Sequence, residues 1–462
     1  ADGTFRALRS SNISNVGAKC VSLSPLSKGS GIITGSYRIP VAHLRSRATF
    51  SNTPPTNAYR SSGRPEIIYC IECMVEKTAR TLGFDPIELR RKNLITAEEM
   101  PYRNAVGMHY DSGEYEKSLD MVMRLNNWDG FGARKLEAKS RGKILGRGVA
   151  HYVESSIGTP VEQAELHVRV EEGQLDLVIG TQPSGQGHET SFAQVASEFL
   201  GLPVEQVNVI VGDTDVVKVG GGSHSGRSMR MAGTVIIKAS RAMIEKGRRI
   251  AELVFEASAE DIVFKDGVFA VIGTDRRLNL MELGAEAAKI ELPKDLTDGL
   301  SVIEDNEMHT PVFPNGCHIC EIEIDIDTGA PQIVRYAAVD DVGRAINPLI
   351  VDGQTHGGIV QGVGQAMWEE CVFDSDGQPL CGSFMDYGMP RADHFPNFDT
   401  ALNEVPSPTN PLGVKAGGEG GTTPAPAVIT NAVIDALQDY DVEHIKMPLT
   451  PLKIWRVMQG RA

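Results

Sequence analysis

Residues 414–426 read Val-Lys-Ala-Gly-Gly-Glu-Gly-Gly-Thr-Thr-Pro-Ala-Pro, and an apolar run at helical spacing follows them. Four glycines surround a single carboxylate, Glu419, and glycine at this density lets the backbone pass close to a flat or bulky partner. Thr422 or Thr423 can cap the following helix, and the prolines suit its first turn. We therefore expect Glu419 on a tight loop before a buried helix, where its carboxylate faces a ligand. The alternative is an ordinary solvated glutamate.

Three other glycine-rich stretches occur at residues 183–188, 220–230 and 353–365. Each lies at a predicted junction with a helix, where successive backbone N–H groups can bind an anion. None contains the P-loop pattern or the Rossmann fingerprint. Five glycines between residues 353 and 364 lie in a predicted helix, which indicates close packing against another backbone or a ligand. Together the four stretches predict a site for a large cofactor with a phosphate and several hydrogen-bonding ring edges.

The composition is typical of a globular protein, with 462 residues, 41% hydrophobic residues and 23% charged residues. The net charge of −15 argues against a general nucleic-acid-binding protein, which would present a basic surface. No run of about 18 apolar residues predicts a membrane span, and we expect a cytoplasmic protein. The first residues include neither an initiator Met nor an apolar signal region, so we expect the chain to begin inside a longer protein.

Seven cysteines spread over a long chain do not form the pattern of a secreted disulfide framework. Two Cys-x-x-Cys pairs, Cys70 with Cys73 and Cys317 with Cys320, could together bind zinc or an iron–sulfur cluster. The first pair lies in a helical pattern, and the second begins an alternating strand that would place its sulfurs on opposite faces. We therefore predict no metal ligands in the chain and expect reduced cysteines.

Helices mixed with antiparallel hairpins favour an α+β fold over a doubly wound one. A helix predicted from Pro65 to Gly83 has an apolar face, and Glu72 and Glu76 are expected on its solvated face. One continuous helix is predicted over residues 114–141. The other predicted elements are helices at 85–93, 192–200, 231–258, 280–289, 353–365 and 427–437, hairpins at 164–179 and 260–275, and strands at 317–327 and 332–342.

Six motifs carry a resemblance to a known family. They are Asn57-Ala-Tyr-Arg-Ser-Ser-Gly-Arg-Pro-Glu66, Ser184-Gly-Gln-Gly-His-Glu189, Gly222-Ser-His-Ser-Gly-Arg-Ser228, Asn347-Pro348, Gly353-Gln354 with Gln361-Gly-Val-Gly364, and Lys415-Ala-Gly-Gly-Glu-Gly-Gly421. Over its whole length the chain resembles the large, molybdopterin-binding subunit of the xanthine dehydrogenase / aldehyde oxidase / carbon monoxide dehydrogenase family. It matches only the C-terminal part of that subunit, because the family's N-terminal hammerhead domain and its Gly-Gly-Phe-Gly loop have no counterpart here.

The resemblance implies the molybdenum-cofactor-binding fold of the aldehyde oxidase type, with two mixed α/β subdomains at residues 1–143 (partial) and 144–462. It implies that Glu419 is the catalytic general base, that Gln186 lies near the oxo ligand of the molybdenum, and that Arg60 contacts substrate. For Gln186 the alternative is a plain turn residue, and for Arg60 it is a salt bridge or a phosphate contact. The metal takes no protein side-chain ligand in this family. The implied cofactor-binding residues are Gly185, Gln186, Gly187, His188, Ser225, Gly226, Arg227, Ser228, Met229, Gln361 and Gly418.

The chemistry of a general base agrees with this role for Glu419. A base that works near neutral pH needs a raised pKa, and a dry, glycine-walled pocket would raise the pKa of Glu419 by desolvation. His188 and His224 flank the same loops and could titrate, but we favour hydrogen-bonding roles for both.

The resemblance also implies cofactors and partners. The cofactor would be molybdopterin, in its plain or cytosine dinucleotide form. The 2Fe-2S clusters and FAD would lie on an iron–sulfur small subunit and an FAD-binding medium subunit. A dimer of such heterotrimers, completed by the missing N-terminal part, would oxidise an N-heteroaromatic, purine or aldehyde substrate with oxygen from water. Without those parts we expect the chain to be inactive.

Two alternatives stay open. Copper-containing carbon monoxide dehydrogenases carry a Cys directly after the Tyr-Arg of the first motif, where this chain has Ser61, so their copper chemistry is not expected here. The second, cysteine-less form of that enzyme has a loop close to Ala58–Arg64 and is the first alternative. A truncated, catalytically inert cofactor-binding module is the other.

Overall fold

A computed structural model describes residues 2–460. Its α-helices are α1 (Ser24–Ser27), α2 (Arg64–Leu82), α3 (Pro86–Asn93), α4 (Tyr115–Leu125), α5 (Phe131–Ser140), α6 (His188–Leu200), α7 (Ser228–Phe255), α8 (Leu280–Ala287), α9 (Pro348–Met367), α10 (Ala425–Ala436) and α11 (Pro451–Met458). Its β-strands are β1 (Leu8–Asn15), β2 (Ala42–Thr49), β3 (Tyr102–Arg103), β4 (His109–Tyr110), β5 (Lys143–Val153), β6 (Val161–Arg169), β7 (Gln174–Ile179), β8 (Val207–Ile210), β9 (Ile262–Lys265), β10 (Val268–Val271), β11 (Arg277–Asn279), β12 (Val302–Glu307), β13 (Asn315–Asp325), β14 (Pro331–Asp341) and β15 (Phe398–Leu402).

Two four-stranded sheets build the body of the molecule, with strand orders β15-β14-β13-β5 and β12-β6-β7-β8. Neighbouring strands in them are antiparallel, except that β15 is parallel to β14 and β8 is parallel to β7. Smaller sheets are formed by β11-β10-β9, by β1 with β2 and by β3 with β4. Hairpins that pack beside helices make this an α+β fold, as predicted.

Helices cover both faces of the β15-β14-β13-β5 sheet. On one face, α2, α3 and α4 enclose Cys317 and Ile319 in an apolar cluster. On the other face, α9, α10 and α11 enclose Cys320 and Ile322. Alternate residues of a strand point to opposite faces, so the two cysteines of β13 lie on opposite sides of the sheet, as predicted.

The β12-β6-β7-β8 sheet packs against α6, α7 and α8. Leu166 pairs with Leu177 across the β6–β7 hairpin, and both side chains are buried under α7. The predicted hairpins at 164–179 and 260–275 and the paired strands near 317–342 are confirmed. Within residues 2–460, no helix combines the length and the apolarity needed to cross a membrane.

The prediction of one continuous helix over residues 114–141 is wrong. A short 3-10 turn at Trp128–Gly130 separates α4 from α5. Asn127 directly before it has a φ of 53°, in the left-handed region through which an α-helix does not continue. The guanidinium carbon of Arg147, on β5, lies 3.1 Å from the centre of the Trp128 ring. Packing of this turn onto the sheet therefore outweighs the local helical pattern.

The expectation that Glu72 and Glu76 are solvated is also wrong. Their side chains are 1% and 9% exposed, because α3 and β5 lie against that side of α2. Arg90 of α3 donates to Glu72 at 3.1 Å and to Glu76 at 3.0 Å, and Tyr37 donates to the other oxygen of Glu72 at 2.6 Å. A face that looks solvent-exposed in the sequence is thus a buried ion-pair cluster.

Candidate active site

The four glycine-rich stretches meet around one cavity of about 510 Å³. Three helices begin at its wall, which includes His188 at the start of α6, Ser228 at the start of α7 and Asn347 directly before α9. The N-terminus of a helix presents unpaired N–H groups and the positive end of the helix dipole. The cavity is therefore suited to a ligand that carries a phosphate or another anionic group.

Close backbone contacts fix the loop that carries Glu419. A Cβ atom at Gly420 would lie 2.4 Å from the hydroxyl of Tyr152, and one at Gly421 would lie 2.4 Å from the carbonyl oxygen of Thr355. Glycine is therefore required at both positions. Gly358 of α9 packs on the same loop, since its own Cβ would lie 3.0 Å from the Cα of Gly421. This contact confirms the predicted close packing of the glycine-rich helix.

The threonines of the loop do not cap α10. Thr422 instead donates to the carbonyl oxygen of Gly358 at 2.9 Å, and the hydroxyl of Thr423 lies 2.7 Å from that of Ser61. Pro424 precedes the helix without a side-chain cap. The two hydroxyl groups therefore join the Glu419 loop to α9 and to the segment before α2.

Arg60 connects α9 to the Glu419 loop. Its Nε donates to the carbonyl oxygen of Gly418 at 2.7 Å, its Nη1 to Gln361 at 3.3 Å, and its Nη2 to the backbone and side-chain oxygens of Gln354 at 3.0 and 3.2 Å. A guanidinium has five N–H groups, so one N–H of Nη1 remains for another partner. Burial lowers the pKa of Arg60, and the charge of Glu419 opposes that shift. Arg60, Gln361 and Gly418 all line the cavity.

Glu419 lies at the cavity wall beside a buried arginine and a second carboxyl group. Its side chain is 16% exposed, its Oε1 accepts the N–H of Ser61 at 3.1 Å, and its Oε2 lies 3.2 Å from Nη1 of Arg64. The same Nη1 lies 3.5 Å from Oε1 of Glu154. The side chains of Arg64 and Glu154 are 1% and 0% exposed. Of these three titratable groups, only Glu419 lines the cavity.

Arg64, the first residue of α2, fixes the position of this group. Its guanidinium donates to the carbonyl oxygen of Ser61 at 3.0 Å, to the carbonyl oxygen of Ser155 and to the hydroxyl of Ser225 at 3.1 Å. It thereby joins α2, the end of β5 and the 220–230 loop behind Glu419.

The pKa of Glu419 is lowered, not raised as the sequence predicted. Burial alone would raise this pKa, but the hydrogen bond from Glu154, the charge of Arg64 and the N–H of Ser61 together outweigh it. The pKa of Glu154 is raised well above its usual value, first by burial and then by the charge of Glu419. Glu419 is thus the stronger acid of the two.

The 183–188 loop forms another wall of the cavity. Gly185 and Gln186 line it, but Oε1 of Gln186 accepts the N–H of Ser184 in its own loop. Gly187 does not line the cavity. Its φ is 67°, and a Cβ atom at this position would lie 2.9 Å from the side chain of Ile350. The structure therefore places Gln186 at the cavity, and Gly187 supports the turn into α6.

Both histidines beside the cavity form hydrogen bonds. His188 Nδ1 lies 3.3 Å from the hydroxyl of Ser223, and His224 Nε2 accepts the N–H of Thr159 at 3.2 Å. Burial lowers the pKa of each ring, which favours the neutral imidazole. These contacts agree with the hydrogen-bonding roles favoured from the sequence.

The 220–230 loop brings Ser225, Gly226, Ser228 and Met229 to the cavity, but not the side chain of Arg227. That side chain is fully buried and lies 2.7 Å from Glu162. Its charge therefore stabilises the loop from behind, and its backbone N–H is bonded to the carbonyl oxygen of His224, so the predicted cofactor contact of Arg227 stays a prediction.

Three groups at the site were not among the predicted site residues. Glu154 gives only a weak signal, a carboxylate directly after an apolar strand. Arg64 stands in the same motif as Arg60, four residues later, and Arg344 lies in the turn before α9 and lines the cavity. Only the folded chain brings these three groups to the Glu419 loop.

The cavity fits a molybdopterin cofactor. Three helix N-termini and the charge of Arg344 suit a phosphate or diphosphate, and the amides of Gln186 and Gln361 suit the ring edges of a pterin. A Cβ at Gly185 or Gly418 would meet no atom within 4 Å, so the glycines leave open space for a bulky group against the backbone.

Comparison with known proteins identifies the family. Two profiles, each described as "Molybdopterin cofactor-binding domain", match residues 1–94 and 121–396, and the second alone spans more than half of the chain. The chain belongs to the molybdopterin-binding family of molybdenum hydroxylase large subunits. The family resemblance read from the motifs is thereby confirmed, while the predicted division of the chain at residues 143/144 stays a prediction.

Several members of the family are similar over the whole chain. The 6-hydroxypseudooxynicotine dehydrogenase complex subunit gamma of Paenarthrobacter nicotinovorans is 33% identical over 100% of this chain and 59% of its own length. The carbon monoxide dehydrogenase large chain of Hydrogenophaga pseudoflava is 32% identical over 99% of this chain and 59% of its own. This chain thus spans somewhat over half the length of the relatives that it matches.

Solved structures confirm the predicted α+β fold of the aldehyde oxidase type. Quinoline 2-oxidoreductase from Pseudomonas putida 86 superposes with a TM-score of 0.91 at 32% identity, over 100% of this chain and 61% of that chain. A Cu,Mo-carbon monoxide dehydrogenase gives a TM-score of 0.91 at 32% identity, over 100% and 60%. The aldehyde oxidoreductase of Desulfovibrio gigas, at 21% identity and a TM-score of 0.79, shares the fold.

Proposed function

We propose that this chain is the catalytic, molybdopterin-binding portion of a hydroxylase that oxidises an N-heteroaromatic, purine or aldehyde substrate with oxygen from water. When bound, the molybdenum cofactor supplies the two-electron oxidation. The observation that carries the proposal is the position of Glu419. Its ionised carboxylate faces a cavity whose other walls are glycine loops and helix N-termini.

Glu419, Gln186 and Arg60, the three predicted catalytic residues, all line the cavity, and each is given a role here. Glu419 accepts a proton from the attacking oxygen, because it is the carboxyl of the pair that lines the cavity while Arg64 and Ser61 fix its orientation. Its lowered pKa keeps it ionised and makes it a weaker base than the sequence predicted. Gln186 contributes amide N–H donors to the cofactor. Arg60 already binds the Gly418 carbonyl and α9, so its one remaining N–H is the group that can reach a substrate.

Replacement of Glu419 by Gln tests this proposal in the reconstituted complex. Glutamine keeps the size and one of the two acceptor oxygens but cannot accept the proton, so turnover should fall by about 10²–10⁴-fold. Molybdenum and pterin content should stay at the wild-type level. The matched control is Glu443→Gln, the same substitution at a glutamate whose side chain is 75% exposed. Unchanged turnover in Glu419→Gln would contradict the assignment.

A carbon monoxide dehydrogenase of the cysteine-less form is the second candidate. Two observations favour it: the loop Ala58–Arg64 and the similarity to carbon monoxide dehydrogenase large chains. Ser61 stands where the copper-containing form has Cys, and its hydroxyl contacts Thr423 at 2.7 Å. A turnover screen over purines, N-heteroaromatics, aldehydes and carbon monoxide decides between the candidates.

The proposed enzyme needs further parts. We expect an iron–sulfur subunit, an FAD subunit and the remainder of the molybdenum subunit to assemble with this chain into a dimer of heterotrimers. Co-purification of the tagged full-length subunit followed by iron, flavin and molybdenum analysis tests this. An inert cofactor-binding module remains the alternative for the chain alone, and near-stoichiometric molybdenum in the isolated chain would reject it.

A further inference from the structure

Glu154 is a buried carboxyl group behind the Glu419 loop. It follows directly after β5, its side chain is fully enclosed, and it does not line the cavity. Its Oε1 is 3.5 Å from Nη1 of Arg64 and 3.4 Å from the hydroxyl of Ser156. Its Oε2 is buried and receives no hydrogen bond from any donor within residues 2–460. An ionised carboxylate with one bare oxygen in the interior is costly, and a protonated one is not.

The charge balance around Arg64 also favours one proton on the pair formed by Glu154 and Glu419. Arg64 contacts both Glu154 and Glu419, so two ionised carboxylates would leave one uncompensated negative charge in the interior. The charge of Arg60 also lowers the pKa of Glu419, but its hydrogen bonds go to Gly418, Gln354 and Gln361, so its bonded N–H groups are paired with neither carboxyl. One shared proton makes the group formed by Arg64, Glu154 and Glu419 electrically neutral.

The other titratable groups that face the pair do not change this balance. Burial lowers the pKa of His224, which favours its neutral form. Burial and Asp340 raise the pKa of Tyr152 well above its usual value, so its phenol is protonated and donates to Asp340 at 2.7 Å. The proton therefore lies on one of the two carboxyls.

We infer that Glu154 holds the proton of a carboxylic acid–carboxylate pair and donates it as a hydrogen bond to Glu419, so that Glu419 is kept ionised and aimed at the cavity. Glu154 is a positioning residue, since it acts through Glu419 and does not reach the cavity. The role of Glu419 as a base rests on the proposed function. The position of the proton does not.

This arrangement has a chemical consequence for the base. Before the reaction the group carries Arg64⁺, Glu419⁻ and neutral Glu154. When Glu419 accepts a proton, the pair becomes two neutral carboxylic acids, and the nearest charge is that of Arg64. The pair then favours release of that proton, which returns Glu419 to the ionised state.

Infrared spectroscopy of the purified holoenzyme complex locates the proton without any turnover. A protonated, buried carboxyl gives a carbonyl stretching band separate from those of carboxylates. We expect this band at neutral pH in the wild type, its loss in Glu154→Gln, and its retention in Glu72→Gln, which removes another buried carboxyl whose pKa burial raises. Absence of the band in the wild type, or its retention in Glu154→Gln, would overturn the inference.

The pH profile of kcat/KM then tests the effect on Glu419. Glutamine can donate the same hydrogen bond as a carboxylic acid, so Glu154→Gln should leave the acidic limb within about half a pH unit of wild type. Leucine cannot donate, so Glu154→Leu should move that limb up by about one pH unit or more. A downward shift in Glu154→Leu would mean that Glu154 is ionised and would overturn the inference. If the wild type shows no hydroxylation, the proposed function fails, while the infrared result still decides the position of the proton.

Discussion

Two buried arginines, Arg64 and Arg90, each lie between two glutamates. The Arg90 cluster (Arg90, Glu72 and Glu76) joins elements of the fold, whereas the Arg64 cluster (Arg64, Glu154 and Glu419) also reaches the cavity. Arg90 lies 3.1 Å from Glu72 and 3.0 Å from Glu76. Both oxygens of Glu72 receive donors, one from Tyr37 and one from Arg90. The Arg64 cluster is incomplete: one oxygen of Glu154 has no donor among the described residues, and Glu419 opens onto the cavity.

The two arginines are alike in their backbone contacts, but Nε of Arg90 donates to Glu72 at 3.2 Å, whereas Nε of Arg64 is buried without a partner among residues 2–460. Each also binds two backbone carbonyls, those of Pro86 and Val149 for Arg90 and those of Ser61 and Ser155 for Arg64. A cluster whose hydrogen bonds are complete serves only to join elements. A cluster that lacks one donor beside a cavity can take up and release a proton, so its incompleteness is itself a sign of function.

The largest expected effect comes from removing each arginine. Arg90→Met leaves two buried carboxylates without a counter-charge and should lower the free energy of unfolding by about 3–5 kcal/mol. Arg64→Met should cost less stability, because one of its two carboxyls is already neutral, but it should abolish most of the turnover. Denaturant unfolding and kcat/KM, measured on both variants, check this.

The control for that comparison is Arg91→Met, one residue further along α3. The side chain of Arg91 is 24% exposed and pairs with Glu88, Glu116 and Asp120, which are all more exposed than it is, so its loss should cost about 1–2 kcal/mol, less than the loss of Arg90. Equal destabilisation by Arg90→Met and Arg64→Met would show that Glu154 is ionised, and the proposed difference between the clusters would be lost.

A smaller effect is expected in the pH dependence of stability. The pKa of Glu154 is raised in the folded state. Glu154 therefore contributes its whole stabilisation at pH values below its pKa in the unfolded chain, and this stabilisation disappears as the pH rises through its pKa in the folded state. Wild-type stability should therefore fall by up to about 1.4 kcal/mol per pH unit more than that of Glu154→Gln in this window. Unfolding free energies at several pH values above about 4.5 measure the difference. Parallel curves for the two proteins would contradict it.

The smallest expected effect concerns the backbone under the Arg64 cluster. Ala at Gly358 would press on Gly421 at 3.0 Å and should cost about 1 kcal/mol, with displacement of Glu419 and reduced turnover. Gly353 lies on the same helix with no atom within 4 Å of its Cβ position, so Gly353→Ala should stabilise α9 by up to about 1 kcal/mol. Thermal unfolding and turnover of both variants test these two expectations. A Gly358→Ala variant that is more stable than wild type would show that the close contact between Gly358 and Gly421 is not needed.

Much of the fold and of the cavity wall could be predicted from the sequence, because those features have local causes. Strand alternation predicts the opposite placement of Cys317 and Cys320, and glycine density predicts the close approach of α9 to the Glu419 loop. Where the prediction was wrong, a segment that is distant in the sequence determines the local structure. Arg147 of β5 packs on Trp128 at the break between α4 and α5, and α3 buries the outer face of α2.

From the sequence alone follow the family, the α+β fold and Glu419 as the carboxylate of the glycine loop, because motifs, periodicity and glycine content act over short spans. Only the tertiary structure shows which member of a carboxyl pair is the stronger acid. The pKa of Glu419 depends on burial, on Arg64, and on Glu154, which lies 265 residues earlier in the chain (419 − 154) and is brought to it by the end of β5. Electrostatic effects of this kind act through space at a few ångströms, and sequence distance does not record them.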